Sequence, residues 1–178
     1  MPLMVAVLLA GCPGRSAPAA APGAAADSVA GVDARATWDR LQRELPGTWV
    51  GTGEHEGLVV GYRVVSRGSA LLETFGAAVD RQTLTVYHPD GPALMLTHYC
   101  GQGNQARLRA TEVSPSRVRF EHVDATNVAA GGSVLHVLTF ALGDETLDRG
   151  EVYRAADGSE ETTHYHFVRS AEPTAATP

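Results

Sequence analysis

The run Thr97-His98-Tyr99-Cys100-Gly101-Gln102-Gly103-Asn104-Gln105-Ala106-Arg107 gathers an imidazole, a thiol, side-chain amides and a guanidinium in one short stretch. Alternate residues of a strand share a face, so His98 and Cys100 look one way while Thr97 and Tyr99 look the other. Leu94 and Leu96 lie on the first side and Met95 on the second. Both sides thus carry apolar residues, and the pattern does not say which pair points inward. Past the turn, Gln105 and Arg107 share a face and could stand across from His98 and Cys100. Together with Asn104 they would make a polar patch able to receive a polar or anionic head group inside an apolar cup. The plainer reading is that Asn104 and Gln105 satisfy turn backbone and that Cys100 is a small core residue.

Other groups widen the choice. Glu73 is flanked by Leu71, Leu72 and Phe75; if buried it needs a partner, for which Arg63 and Arg107 are the candidates. Tyr87 joins Glu73 among the candidate ligand-binding residues. His164 and His166 alternate on the last apolar segment and share a face, so both could reach one metal, with His98 or His136 as a third ligand. Nucleophilic catalysis by Cys100 would need a base, and His98 lies about one strand repeat away, too far for a direct bond. No nucleophile elbow, phosphate loop or paired catalytic carboxylates occur, so an enzyme dependent on Cys100 and His98 is the weaker alternative.

The elements that must position these groups are short. Asp33 can cap a helix over 34–45, with Trp38, Leu41 and Leu45 on one face, and Pro46-Gly47 ends it. After it the apolar period becomes two, with strands expected near 48–54, 58–67, 69–76, 82–88, 93–100, 105–113, 116–123, 133–141, 145–154 and 161–169. Turn residues such as Pro89-Asp90-Gly91, Ser114-Pro115 and Asp157-Gly158 separate them. Some ten strands without intervening helices cannot form a parallel sheet. The expected fold is therefore all-β, an antiparallel meander closed into a barrel, with one short helix before it. Closure removes exposed edges, and a barrel of this strand count can hold a small ligand.

The chain has 178 residues, 44% of them hydrophobic, and a formal net charge of −6. All its basic residues are arginine and none forms a cluster, which argues against a nucleic-acid partner. Residues 1–12 hold an apolar run followed by Leu9-Ala10-Gly11-Cys12, which resembles a bacterial lipobox. The resemblance implies lipidation of Cys12 and a place in the bacterial cell envelope. Pro13 after the cysteine, rather than an aspartate, implies the outer membrane facing the periplasm. The apolar run is too short for a permanent membrane span. Residues 13–32 are an Ala- and Pro-rich linker and 171–178 a similar tail, leaving 33–170 as the folded domain. With Cys12 lipidated, Cys100 has no disulfide partner.

Gly47-Thr48-Trp49, placed just after the helix, resembles the G-x-W signature of the lipocalin or calycin superfamily. There the tryptophan closes the barrel bottom beneath an arginine of a late strand; Arg169 is the matching residue here. The wider run 45–53 resembles the opening of nitrobindin-like barrels, which hold haem through a histidine. The middle of the chain, from Gly68-Ser69-Ala70-Leu71-Leu72-Glu73 through Thr85-Val86-Tyr87-His88-Pro89-Asp90-Gly91 to His98-Tyr99-Cys100 and Asn104-Gln105, also resembles an uncharacterised group of bacterial secreted or lipid-anchored proteins. These resemblances imply a calycin-like barrel with a small, amphipathic ligand, attached to a membrane only through its N-terminal lipid, with haem or metal as the alternative and no cofactor as the leading expectation. Oligomeric state is not indicated.

Overall fold

The computed structural model describes residues 33–76 and 82–171. The expected lipobox at Cys12, the linker at 13–32 and nearly all of the 171–178 tail lie outside the described residues.

The helix α1 (Ala34–Glu44) starts where the Asp33 carboxylate accepts a hydrogen bond from the Ala36 amide at 2.9 Å. Such a cap contributes about 1 kcal/mol. Ala34, Thr37, Trp38 and Leu41 form its buried face, and buried Leu45 continues it. The helix lies across one end of a closed barrel. Arg40 donates to the Ser114 carbonyl at 2.8 Å and Gln42 to the Gly68 carbonyl at 2.6 Å, tying α1 to two of the turns at that end. Among the described residues no helix is long and apolar enough to cross a membrane.

The barrel strands are β1 (Gly47–Gly51), β2 (Val59–Val65), β3 (Ala70–Phe75), β4 (Thr83–Asp90), β5 (Ala93–Tyr99), β6 (Gln105–Val113), β7 (Arg117–Thr126), β8 (Ser133–Leu142), β9 (Thr146–Ala155) and β10 (Glu160–Arg169). Each pairs antiparallel with the next, and β1 pairs with β10 to shut the wall. The expected all-β, ten-stranded closed barrel behind one short helix is the architecture found, and it is compatible with a calycin-like fold. The strands expected over 48–54 and 58–67 end earlier, in single turns of 3-10 helix at Gly53–His55 and Ser66–Gly68. Gly53 takes φ +65° and Gly68 φ +87°, conformations that end the extended run.

Period-two alternation decides what fills the interior. Leu71, Glu73 and Phe75 of β3 face inward, as do Thr85 and Tyr87 of β4, Leu94, Leu96 and His98 of β5, Leu147, Arg149 and Glu151 of β9, and Tyr165 and Phe167 of β10. The end nearest α1 is packed by Trp38, Leu41, Leu45, Trp49, Leu94 and Phe167, all essentially inaccessible. The G-x-W stretch explains itself there. Trp49 and Arg169 are cross-strand partners at the β1–β10 seam, and the Arg169 guanidinium lies 4.1 Å from the indole centroid. Arg169 also donates to the Pro46 and Glu44 carbonyls at 2.9 and 2.7 Å, satisfying chain ends that α1 leaves open. Gly47 stands at φ +128°, and a Cβ there would lie 3.1 Å from an Arg169 nitrogen, so both backbone and packing require glycine.

Candidate functional site

Midway along the barrel the apolar filling gives way to charge. Glu73 and Arg149 are both fully inaccessible and meet at 2.7 Å. One Glu73 carboxylate oxygen accepts from Arg149 and from the Tyr87 hydroxyl at 2.5 Å; the other accepts from Thr85 at 3.0 Å. Arg149 donates further to the Tyr62 hydroxyl at 3.1 Å and to Glu151 at 2.7 Å. Its guanidinium lies between two rings, 4.8 Å from the Phe75 centroid and 5.6 Å from that of Phe140. Burial alone would raise the Glu73 pKa. The Arg149 charge and the hydrogen bonds from Arg149 and Tyr87 outweigh it and hold the carboxyl below its ordinary value. Burial also pushes the Tyr62 and Tyr87 hydroxyls well up, with the Glu73 charge adding to it.

The cluster extends to His98. Its Nδ1 lies 3.0 Å from the Thr85 hydroxyl and its Nε2 3.1 Å from the Tyr153 hydroxyl. A hydroxyl carries one hydrogen, and that of Thr85 is given to the Glu73 carboxylate, which can only accept. The imidazole must then donate from Nδ1, and Nε2 accepts from Tyr153. Burial, with Arg149 nearby, pulls the His98 pKa down to about 4 against the opposing pull of Glu73, so the ring is neutral at pH 7. A single chain of hydrogen bonds thus runs Tyr153 to His98 to Thr85 to Glu73.

One part of the cluster is incomplete. A guanidinium has five N–H bonds. Those on Nε and Nη1 of Arg149 find Glu151, Glu73 and Tyr62, whereas Nη2 is buried without any partner. Half-buried Phe75 lies over this guanidinium and packs edge-on to Tyr165 at 5.3 Å, and His55 from the 3-10 turn lies 4.5 Å from the Tyr165 ring. With Tyr153 they form an aromatic rim at the barrel end away from α1.

The structure divides the residues singled out from sequence. Glu73, Tyr87 and His98 share the interior cluster. The buried partner of Glu73 is Arg149, not Arg63 or Arg107: Arg63 is exposed on the outer face, and Arg107 pairs with Asp124 outside the wall. Gln105 does not stand across from His98 either. The hairpin register sets Tyr99 against Gln105 and Thr97 against Arg107, which carries both to the outer face. Gln105 there receives hydrogen bonds from Thr126 and Asn127 and donates to the Gly103 carbonyl. Asn104 is buried and donates to the Ser133 carbonyl at 3.0 Å, pinning the β5–β6 turn to β8. Cys100 is half-buried beyond the end of β5 and its sulfur accepts from the Gln102 amide at 3.5 Å. Both His98 nitrogens are already engaged, so the imidazole is not available to the thiol.

The residues named for haem or metal do not converge. His164 and His166 are exposed on the outer wall; Gly150 and Asp148 are their cross-strand neighbours, and His166 pairs with Asp148 at 2.5 Å. They border an external cleft of about 340 Å³ whose lining also includes Arg117 and Thr139. The interior histidine, His98, is on the other side of the wall with no free nitrogen. His136 stacks on His122 at 5.4 Å beside a separate external cleft. No group of three or more metal-ligating side chains occurs among the described residues. These positions do not fit a haem iron held inside the barrel.

Sequence reasoning missed Arg149, Tyr62, Glu151 and Tyr153. The alternation Leu147-Arg149-Glu151-Tyr153 carries the signal, since an inward Leu147 puts the next alternate residues inside too. No protein-family model matches this chain, and no curated protein matches it.

Proposed function

We propose that this chain is a lipid-anchored barrel of the bacterial cell envelope that binds a small amphipathic molecule at its open end. The observation that carries the binding reading is the unpartnered Arg149 Nη2, buried inside the barrel under a rim of half-buried aromatic rings. A buried donor left without an acceptor costs ~1–3 kcal/mol, and a ligand oxygen would remove that cost. Phe75, Tyr153 and Tyr165 supply apolar area beside it for the rest of the molecule. Anchoring rests on Leu9-Ala10-Gly11-Cys12 alone.

The test uses the full chain carrying Cys12→Ser, titrated with the neutral apolar probe N-phenyl-1-naphthylamine. Saturable one-to-one fluorescence enhancement that weakens at least fivefold in Phe75→Ala and Tyr165→Ala supports the reading. No saturable binding of this probe, and no effect of alkyl amphipaths on Tyr or Trp emission, refutes it. Anchoring is tested separately: radiolabelled palmitate should enter the unmodified chain and not the Cys12→Ser variant.

A further inference from the structure

We infer that the head group received by this barrel is an uncharged one, bearing a carbonyl or hydroxyl oxygen for Arg149 Nη2 and an N–H or O–H for the Glu151 carboxylate, as in a primary alkyl amide or a monoacylglycerol. The inference rests on the binding reading above and adds the chemical class. It follows from counting charge and hydrogen-bonding capacity at the cluster.

Arg149 is the one cation there and it already faces two carboxylates, Glu73 at 2.7 Å and Glu151 at 2.7 Å. The other polar groups bring no positive charge: His98 is neutral, and Tyr62, Tyr87 and Tyr153 are held protonated by burial. An arriving ligand carboxylate would therefore be a third anion on a single guanidinium, in surroundings where water screens little. An ammonium would answer the charge but has no acceptor to offer Nη2, and it would lie beside a guanidinium. A neutral head with both an acceptor and a donor meets both demands. Only one oxygen of Glu151 is taken up by Arg149, and its side chain is 8% exposed, the one member of the ion cluster that is not sealed off. Phe75, half-buried over the guanidinium, is the side chain such a head group must displace or slide beneath.

The experiment displaces N-phenyl-1-naphthylamine from the full-length Cys12→Ser protein at pH 8 with dodecanamide, 1-monolauroylglycerol, laurate and dodecylamine, chosen for one chain length and three charge types. The two neutral compounds are expected to displace the probe at concentrations at least tenfold below those of laurate and dodecylamine. Glu151→Gln, which removes one anion at a partly accessible position, should tighten laurate and bring its ratio to dodecanamide within threefold; circular dichroism confirms that this variant is folded. Laurate or dodecylamine matching the neutral compounds overturns the inference, as does a ratio unmoved by Glu151→Gln. Failure of all four compounds and of the probe would instead overturn the binding reading itself, so the two failures are distinguishable.

Discussion

Replacing Arg149 by methionine removes the only interior cation among the described residues and leaves the Glu73 carboxylate fully buried, hydrogen-bonded by hydroxyls alone. Breaking a buried pair by deleting one partner costs about 3–5 kcal/mol, because the surviving charge has lost both water and counter-ion. For a domain of this size that loss lowers Tm by about 10–15 °C. The direction of the pH dependence must also reverse between parent and variant. In the parent protein the Glu73 pKa is lowered, so its contribution to stability is present above the ordinary carboxylate range of about 4.3 and fades as pH falls below it. In Arg149→Met the chief opposition to burial is gone and the Tyr87 hydrogen bond offsets only part of it, so the folded-state pKa rises, and stability is present at low pH and lost as pH rises through the raised value. Urea unfolding at pH 5 and pH 8 should show the variant's deficit growing with pH. A second variant, Glu73→Leu with Arg149→Met, removes the fully buried pair, leaves only the partly accessible Glu151 charged, and should recover at least half of the single-variant loss. A loss below about 1 kcal/mol for Arg149→Met, or a double variant as weak as the two singles added, would refute the view that this pair is a mutually neutralising buried unit.

Three further outcomes are expected. The His98 pKa of about 4 lies below the unfolded value of about 6.5, so the unfolded chain takes up the proton first and stability falls as pH drops; between pH 7 and pH 5 urea unfolding should show a loss of about 2 kcal/mol, which His98→Gln largely abolishes. Arg169→Ala removes the stacking on Trp49 and strands two carbonyls at the end of α1, so a loss of about 2–3 kcal/mol with a red shift of tryptophan emission is expected; unchanged emission would contradict the seam geometry. Alkylation of Cys100 by iodoacetamide should proceed at the same rate in His98→Gln as in the parent, because the imidazole is fully engaged elsewhere; a slowed rate would revive the idea of an activated thiol.

The strands were legible because each one has an inner and an outer face, so the polar–apolar alternation registers every residue. Leu147, Arg149 and Glu151 keep step as well as Leu94, Leu96 and His98 do. What alternation cannot supply is the partner across the barrel. Glu73 on β3 and Arg149 on β9 meet through space, far from each other in the sequence, and nothing local to Glu73 points to Arg149 over Arg63. The hairpin error has a different origin. A single step of register reverses the face of every residue that follows, and the pairing of Tyr99 with Gln105 was enough to send Gln105 and Arg107 outside.

The placement of α1 gives the barrel a polarity that outlasts any particular ligand. Asp33 begins the helix that lies across one end, and Ser170, just past β10, donates to the Thr48 carbonyl at that same end. Both termini of the described domain are thus on the sealed side, while the aromatic rim is on the other. A tether that pulls through residue 33 or residue 171 therefore pulls on the helix-covered base, at the end opposite the aromatic rim.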